Sequence, residues 1–552
     1  MIPQTERQEH ARDFLTCLGF DEKSEPENAD DIQRHISCLS VWRLAAAPLP
    51  AEAALALART LRAHYLRCHS KGLVTSTVTE FCGTDGYGVL AAHHYFYAAM
   101  QLQSSAPVME ALCLLEMVLD QSPANFHAKL LLVKLYHMLG NALAADTIYQ
   151  RLEIKHIQLV SLGWLHAARL APACAASRAL QLLTDTRGFH SHHGKDSVEH
   201  LTYAYKYGTF EKLVELRAWG ARVDACAWAA ASARARCTLA LLAGPPAPLH
   251  APPRLPHQPT DNRDLDVIVN FEPPEYRDPD LKARTFDQEI SYLRLKDALV
   301  SAIALCIESA DSRPIEERRP QYEELKTCVD AFSEAMQKCR DKYNVKERIS
   351  ISAPFPSRII AFVTSPVPYR ELYAQSLRLA AELAAGRAAA AHALCLDAAA
   401  ILRAAPHALR DEIRRHEGPW KMRDTLESLA NYLEFIGIVT FLLGVCDKLI
   451  TPTNTKKSKK KTSQSPDEIK TNQLLNQLNE IVQNSVAILE EIFENLPNYS
   501  QNNTLEEEFS NLSINEYKIT VENKLENGRQ DMLNDIQNIL KKKTKYLKSL
   551  IH

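Results

Sequence analysis

His190, His192, His193 and His200 have the type and closeness that metal binding would use, because a neutral imidazole nitrogen is a good ligand for zinc and related ions. Gly188, Ser191, Gly194 and Lys195 surround them, which predicts a polar loop between two helices, and no cysteine or carboxylate pair completes a closed site. Gly83, Gly86 and Gly88 are a second candidate, since glycine-rich turns let backbone amides cradle phosphate. No strand pattern precedes them and no Lys-Ser or Lys-Thr follows, so they predict a turn before a helix at Val89. A third is Arg217-Ala-Trp-Gly-Ala-Arg222, the nearest approach to the Arg/Gln-x-x-Gly-x-Gly/Ala turn that holds a pyrophosphate at a helix N-terminus. Arg222 stands where a small residue is needed, and a helical pattern precedes it. His93 and His94 are adjacent on a helix and cannot share a face. These readings assign no catalytic residue, no cofactor and no metal.

Charge offers a different chemistry. Lys456, Lys457, Lys459, Lys460 and Lys461 form one basic run, and Lys541, Lys542, Lys543, Lys545 and Lys548 form another; either could meet ribosomal RNA phosphates. No aromatic residue interleaves the first run, so base readout is not expected, and a solvated linker is its plainer reading. The net charge of the 552 residues is -3, which gives no global pull toward nucleic acid or anionic membrane and no expectation of specific DNA binding. The cysteines number 13, an odd count with no C-x-x-C pair, which points to reduced thiols in a cytoplasmic chain. The residues after Met1 do not form a charged and then apolar leader. Glu434 and Asp447 interrupt the most apolar segment, Tyr432 to Ile450, leaving about a dozen uninterrupted residues where roughly 20 are needed to span a bilayer. That segment predicts a buried helix and no membrane.

The elements that must position these residues announce themselves by a repeat. Between Ser122 and Leu152, the residues Leu132, Tyr136, Gly140, Ala145 and Tyr149 fall at the spacings of a tetratricopeptide helix-turn-helix, in which large residues of one helix clasp a small residue of the next. Thirty-four positions upstream stand Leu102, Ala111 and Leu115 as counterparts of Tyr136, Ala145 and Tyr149. A length of 552 residues exceeds one compact core, and only 17 glycines are present. The fold class this predicts is all-α, a tetratricopeptide-like solenoid with a concave groove and a long helical C-terminal region.

The predicted organisation has five parts. Residues 1–243 are helical repeats, with helices at Leu55–Tyr65, Gly88–Leu102, Val108–Leu119, Leu159–Leu170, Ala173–Leu183 and Ser197–Tyr207, and with Pro172 at a helix start. Residues 244–283 are a proline-rich and extended loop. Residues 284–450 are an alanine-rich helical region, in which Pro320 marks a helix start and Met422 to Leu443 form one long helix. Residues 451–466 are the basic linker, and residues 467–552 are amphipathic helices, the last from Ile519 to Leu550.

Several segments resemble a known family. They are Ala128-Lys-Leu-Leu-Leu-Val-Lys-Leu-Tyr136, Ile154-Lys-His-Ile-Gln-Leu159 with Leu162-Gly163, Ala204-Tyr-Lys-Tyr-Gly208 with Phe210-Glu-Lys212, and Asp261-Asn-Arg-Asp264. In order and spacing they are similar to the auxiliary subunit of the NatB N-terminal acetyltransferase complex, the psidin or phagocyte signalling-impaired family. The similarity runs from Asp31 to about Leu449 and corresponds to the C-terminal half to two-thirds of family members, which carry further helical repeats before it. The resemblance implies a non-catalytic superhelix that wraps a small catalytic subunit of the GNAT fold and holds it near the ribosome. That partner would acetylate nascent chains beginning Met-Asp, Met-Glu, Met-Asn or Met-Gln. The competing expectation from the repeats alone is a generic tetratricopeptide adaptor for chaperone tails or other proteins.

Overall fold

Stacked helical hairpins build the chain. A computed structural model describes residues 3–45, 48–73, 79–243, 252–268, 279–309, 315–343, 354–416, 418–450, 466–496 and 515–550. The first helices are α1 (Gln4–Cys17), α2 (Ala29–Ala45), α3 (Ala51–Ser70), α4 (Asp85–Leu102), α5 (Ala106–Gln121), α6 (Phe126–Met138) and α7 (Ala142–Gln150). Two short turns of helix, α8 (Gln158–Ser161) and α9 (Ala167–Leu170), lead to α10 (Ala176–Lys206), α11 (Phe210–Asp224) and α12 (Ala227–Ala243). Then come α13 (Leu281–Ser309), α14 (Ile315–Lys342), α15 (Arg358–Thr364), α16 (Tyr369–Ala384) and α17 (Ala388–Arg414). The last three are α18 (Met422–Ile450), α19 (Pro466–Glu494) and α20 (Asn515–Ser549). Among the described residues there is no strand, only a single parallel bridge between Cys226 and Thr260. The chain is an all-α helical-repeat solenoid.

Local chemistry sets the hairpins. Asn125 and Asn141 cap α6 and α7, each side-chain oxygen accepting a backbone N–H at 3.0 Å from Ala128 and Ala144, which satisfies a donor the helix itself cannot. Between them Gly140 takes φ +74°, a left-handed turn that L side chains rarely adopt. Neighbours in sequence then pack as neighbours in space: α3 on α4, α4 on α5, α6 on α7, α13 on α14, α16 on α17.

Among the described residues, the last three helices also pack far from their sequence neighbours. α18 is buried on all sides from Thr425 to Cys446 and packs on α12, α13, α15, α16 and α17, as a helix apolar all round must. Gly437 lets it approach α12 until an added Cβ would stand 3.0 Å from the Leu242 Cα. α19 lies along α17. α20 returns to the first repeats, packing on α5 and α7 as well as on α18 and α19. Among the described residues one helix, α17, is long and apolar enough to cross a membrane, and a third of that stretch is buried.

Several sequence expectations are corrected. The histidine-bearing stretch is no loop: α10 runs unbroken for 31 residues through Gly188 and Gly194. Its polar side chains bond back to their own helix, the Ser191 hydroxyl donating to the Arg187 carbonyl at 3.0 Å, the Ser197 hydroxyl to that of His193 at 2.7 Å, and His192 Nδ1 lying 2.7 Å from the Gly188 carbonyl. Conversely, the helix expected over Leu159–Leu170 is cut into α8 and α9, because Gly163 is pressed against the Trp228 indole and the Trp164 indole N–H donates to the Asp264 carbonyl at 3.1 Å. Pro172 lies in the turn after α9, with Cys174 at φ +60°, and not at a helix start. α14 begins at Ile315, ahead of Pro320. Gly86 and Gly88 lie inside α4, where a Cβ would come within 2.6 Å of Ile36 and Val118; they allow α2 and α5 to approach closely and form no phosphate turn.

Candidate protein-docking surface

The distal part of α10 and the whole of α11 form a hairpin with little buried surface. Near its start α10 buries Ala176, Ala179, Leu182, Leu183 and Thr186, but beyond that point only His193 and Ala204 are buried, and in α11 only Val223. Gly208, at φ +72°, closes the turn, with the Thr209 N–H returning to the Ala204 carbonyl at 2.9 Å. Phe189, stacked 5.8 Å from His193, and Trp219, edge-on to it at 6.0 Å, hold the two helices together. His193 Nε2 also lies 3.2 Å from Asp224.

Large apolar side chains gather on this hairpin. Of fifteen exposed in the described residues, six are here: Val198, Tyr203, Tyr205, Tyr207, Phe210 and Val214. Tyr205 is 71% exposed, Tyr207 67%, Phe210 58% and Val214 73%. They form two flanks. Tyr205 meets Phe210 edge-on at 6.0 Å, with Val198 and Val214 one or two helical turns behind them. On the other flank Tyr203 stacks on Tyr207 at 6.2 Å over a groove shared with His200, Lys212, Glu215 and Trp219, and the Lys206 ammonium sits 5.6 Å from the Tyr207 ring. Aromatic rings with polar tips, beside an exposed Lys212–Glu215 pair at 2.6 Å, have the composition of a protein interface: large area, few torsions to order, and a charged rim.

The residues singled out for chemistry do not converge here. His190 and His193 meet edge-on at 6.0 Å, burial pushes the His190 imidazole down to about 4, and His192 turns back to its own helix. Among the described residues no group of three metal-ligating side chains comes together. Arg217 to Arg222 lie wholly within α11, so Gly220 is helical and its segment makes no amide cradle. His93 and His94 are both buried in α4. Lys456, Lys457, Lys459, Lys460 and Lys461 lie outside the described residues. Of the second lysine run, Lys543 is buried and its ammonium donates to the Leu241 carbonyl, so it is unavailable to any nucleic acid; burial lowers its pKa to about 8.

Leu132 and Tyr136 lie buried on α6, Ala145 and Tyr149 on α7. Of the upstream counterparts Ala111 and Leu115 are buried, whereas Leu102 ends α4 and is exposed. The Tyr136 hydroxyl donates to Glu116 of α5 at 2.7 Å, and Lys524 of α20 meets the same carboxylate oxygen at 2.6 Å. Gly140 serves a second purpose, because an added Cβ would meet Leu426 at 3.0 Å and Met422 at 3.1 Å on α18.

Apolar periodicity does not separate the exposed aromatics around Ala204 to Lys212 from buried ones. A signal was present: Tyr203, Tyr205 and Tyr207 stand two apart, and on a helix residues two apart cannot face the same way, so one core could not hold all three.

Stacked α-hairpins, one of them carrying exposed aromatics, define a helical-repeat protein. A family model described as N-acetyltransferase B complex (NatB) non catalytic subunit matches residues 5–283, and one described as Psidin-like, C-terminal domain matches residues 269–547. The chain is 28% identical over 513 residues to the phagocyte signaling-impaired protein of Drosophila pseudoobscura pseudoobscura, covering 85% of this chain and 53% of that protein. It is 30% identical over 312 residues to N-alpha-acetyltransferase 25, NatB auxiliary subunit, of Homo sapiens, covering 52% of this chain and 31% of the human one. A solved chain of the NatB acetyltransferase complex bound to CoA and MES shares the fold, with a TM-score of 0.50 and 13% identity over 97% of this chain and 64% of that one. The chain thus belongs to the family of NatB non-catalytic subunits. It spans about half the length of the fly relative.

Proposed function

We propose that this chain acts as the auxiliary subunit of a NatB complex, binding a GNAT-fold catalytic subunit and positioning it at the ribosome in the cytoplasm. The partner's reaction is co-translational acetylation of nascent chains that begin Met-Asp, Met-Glu, Met-Asn or Met-Gln. Family membership supports the reading of the whole chain, and the observation that carries the docking is the exposed aromatic tip of α10 and α11. A preformed surface needs little ordering on binding, so aromatics that become buried against a partner convert into affinity efficiently.

The generic adaptor reading has less support. α20 covers part of the surface of α5 and α7 that would otherwise be open to a peptide: the Asn141 amide donates to the Leu525 carbonyl at 2.6 Å, and Tyr517 donates to Asp120 at 3.0 Å. A rate measurement tests the proposal. The catalytic subunit mixed with this chain should acetylate a Met-Asp peptide faster than the catalytic subunit alone, and equal rates with and without the chain would contradict the reading.

A further inference from the structure

We propose that the short segment from Thr260 to Asp264 is a strut that fixes how the hairpin of α10 and α11 is set against the rest of the molecule, and so positions the aromatic tip for docking. What docks rests on the proposed function; the strut itself rests on geometry alone. Asp261-Asn-Arg-Asp264 is one of the segments that carry the family resemblance, yet it contributes nothing to the exposed aromatic surface. A hairpin held in one direction needs two roots. α10 has its own, because Ala176, Ala179, Leu182, Leu183 and Thr186 are buried at its start. α11 packs chiefly on α10 and buries only Val223 along its 15 residues, so its root must be supplied at the C-terminal end.

The last carbonyls of a helix have no partner within it. In α11 the Arg222 carbonyl receives two side-chain donors from the strut, the Thr260 hydroxyl at 2.7 Å and the Asn262 amide at 3.0 Å. The main chain adds two bonds: the Thr260 N–H donates to the Ala225 carbonyl at 2.8 Å, and the Ala227 N–H to the Thr260 carbonyl at 3.1 Å. The other end of the strut is tied elsewhere. The Asp264 N–H donates to the Ser161 carbonyl at 3.0 Å, at the end of α8, and the Asp264 carbonyl accepts the Trp164 indole N–H. Arg263 reaches a third element, its guanidinium donating to the Lys282 carbonyl and the Thr285 hydroxyl of α13 at 3.3 Å each and lying 5.7 Å from the Phe286 ring. Asp261 stiffens the segment, because its carboxylate accepts Arg263 Nε and Nη2 at 2.8 Å each and the Arg263 backbone N–H at 3.1 Å.

Capping the end of α11 is the plainer role for Thr260 and Asn262, and by itself it would stabilise one helical turn. It does not account for Arg263 and Asp264, whose bonds go to α13, Trp164 and the end of α8. Together the five residues join the root of α11 to two other parts of the fold. The lever is long. From Thr186 to Lys206 α10 extends about 30 Å, so a tilt of about 10° at the root moves the tip by about 5 Å. Rolling of α11 around α10 would also change which flank is presented, since Tyr205 meets Phe210 on one side and Tyr203 meets Tyr207 on the other. Loosening the second root therefore lowers the fraction of chains whose tip is competent to dock, which slows association and leaves the contacts, once made, as they were.

The test compares the full chain with two variants: T260V/N262A, which removes both side-chain donors to the Arg222 carbonyl, and T260S/N262A, which gives one back. Hydrogen exchange read by mass spectrometry tests the strut. Amides of α11 should exchange at least about fivefold faster in T260V/N262A, while α16 and α18 keep the parent's protection and so show that the fold is intact. Stopped-flow mixing with the catalytic subunit tests the positioning. The association rate constant of T260V/N262A should fall at least about fivefold with dissociation within about twofold of the parent, and T260S/N262A should recover most of the association rate. Unchanged exchange in α11 overturns the strut, and faster exchange with an unaltered association rate overturns the positioning. So does a loss of affinity carried by dissociation alone, and so does failure of T260S/N262A to recover. If the unmodified chain does not bind the catalytic subunit, the proposed function fails, and the exchange comparison still decides whether Thr260 to Asp264 braces α11.

Discussion

Glu434 carries a charge into the middle of the most buried helix, and its neighbours explain why α18 tolerates it. The Lys296 ammonium of α13 donates to one carboxylate oxygen, and the Arg358 guanidinium lies 3.9 Å from the other. Burial pushes the carboxyl up, but Lys296 and Arg358 outweigh it and hold Glu434 below its ordinary 4.5. Glu427, two turns earlier, has an unpaired oxygen and moves the other way, burial raising its pKa. The two carboxyls thus have opposite linkage. A depressed pKa stabilises the fold at pH above 4.5 and loses that contribution as pH falls through the folded value; a raised one contributes below 4.5 and is lost as pH rises. Glu434→Gln strands two buried cations and is expected to cost about 3 kcal/mol at pH 7, read as a fall in urea midpoint. The gap between variant and parent should close as pH drops below 4.5, whereas Glu427→Gln should be neutral or stabilising at pH 7; a Glu434 gap that widens in acid would refute the assignment. In the sequence Glu434 is visible only as an interruption of an apolar run. Its partner Lys296 lies 138 residues away, and no local pattern links them.

The hairpin of α10 and α11 shows where periodicity reads well and where it fails. The apolar pattern located α5 and α18, which are buried nearly all round, and α20, whose buried stripe is regular. It failed at Gly188 to Lys195, where two glycines and a serine argue for a loop but Phe189 and His193, packing toward Trp219 of α11, keep the helix whole. It also could not tell an exposed tyrosine from a buried one. The variant Y205A/Y207A/F210A tests the tip as an element. Since these side chains are mostly exposed, its melting temperature should stay within about 2 °C of the parent, as substitutions at the surface change stability by no more than about 0.5 kcal/mol each. Affinity for the catalytic subunit should fall by more than about 30-fold, equivalent to 2 kcal/mol at an interface hot spot. Retained affinity with an unchanged melting temperature would remove the tip from the interface.

Across the whole molecule, the last helix packs back on α5, α7 and α10, far from it in sequence. Lys524 meets Glu116, the Asn141 amide meets Leu525, and the Ser177 hydroxyl donates to Asp535, contacts that join positions 408, 384 and 358 apart. The repeat between Ser122 and Leu152 made the hairpins legible, yet this packing was invisible because it depends on pairs that share no sequence neighbourhood. Removing residues 515–552 should expose the apolar faces of α5 and α7; the expected readout is faster hydrogen exchange in both helices, and protection equal to that of the intact chain would show that α20 is an ornament. A preshaped scaffold is what a catalytic subunit would need in order to be positioned without reordering its partner. Co-expression of the full chain with the small GNAT-fold subunit, followed by gel filtration with mass determination, tests that claim most directly. The account predicts a single peak holding one copy of each; two peaks, each containing one protein alone, would contradict it.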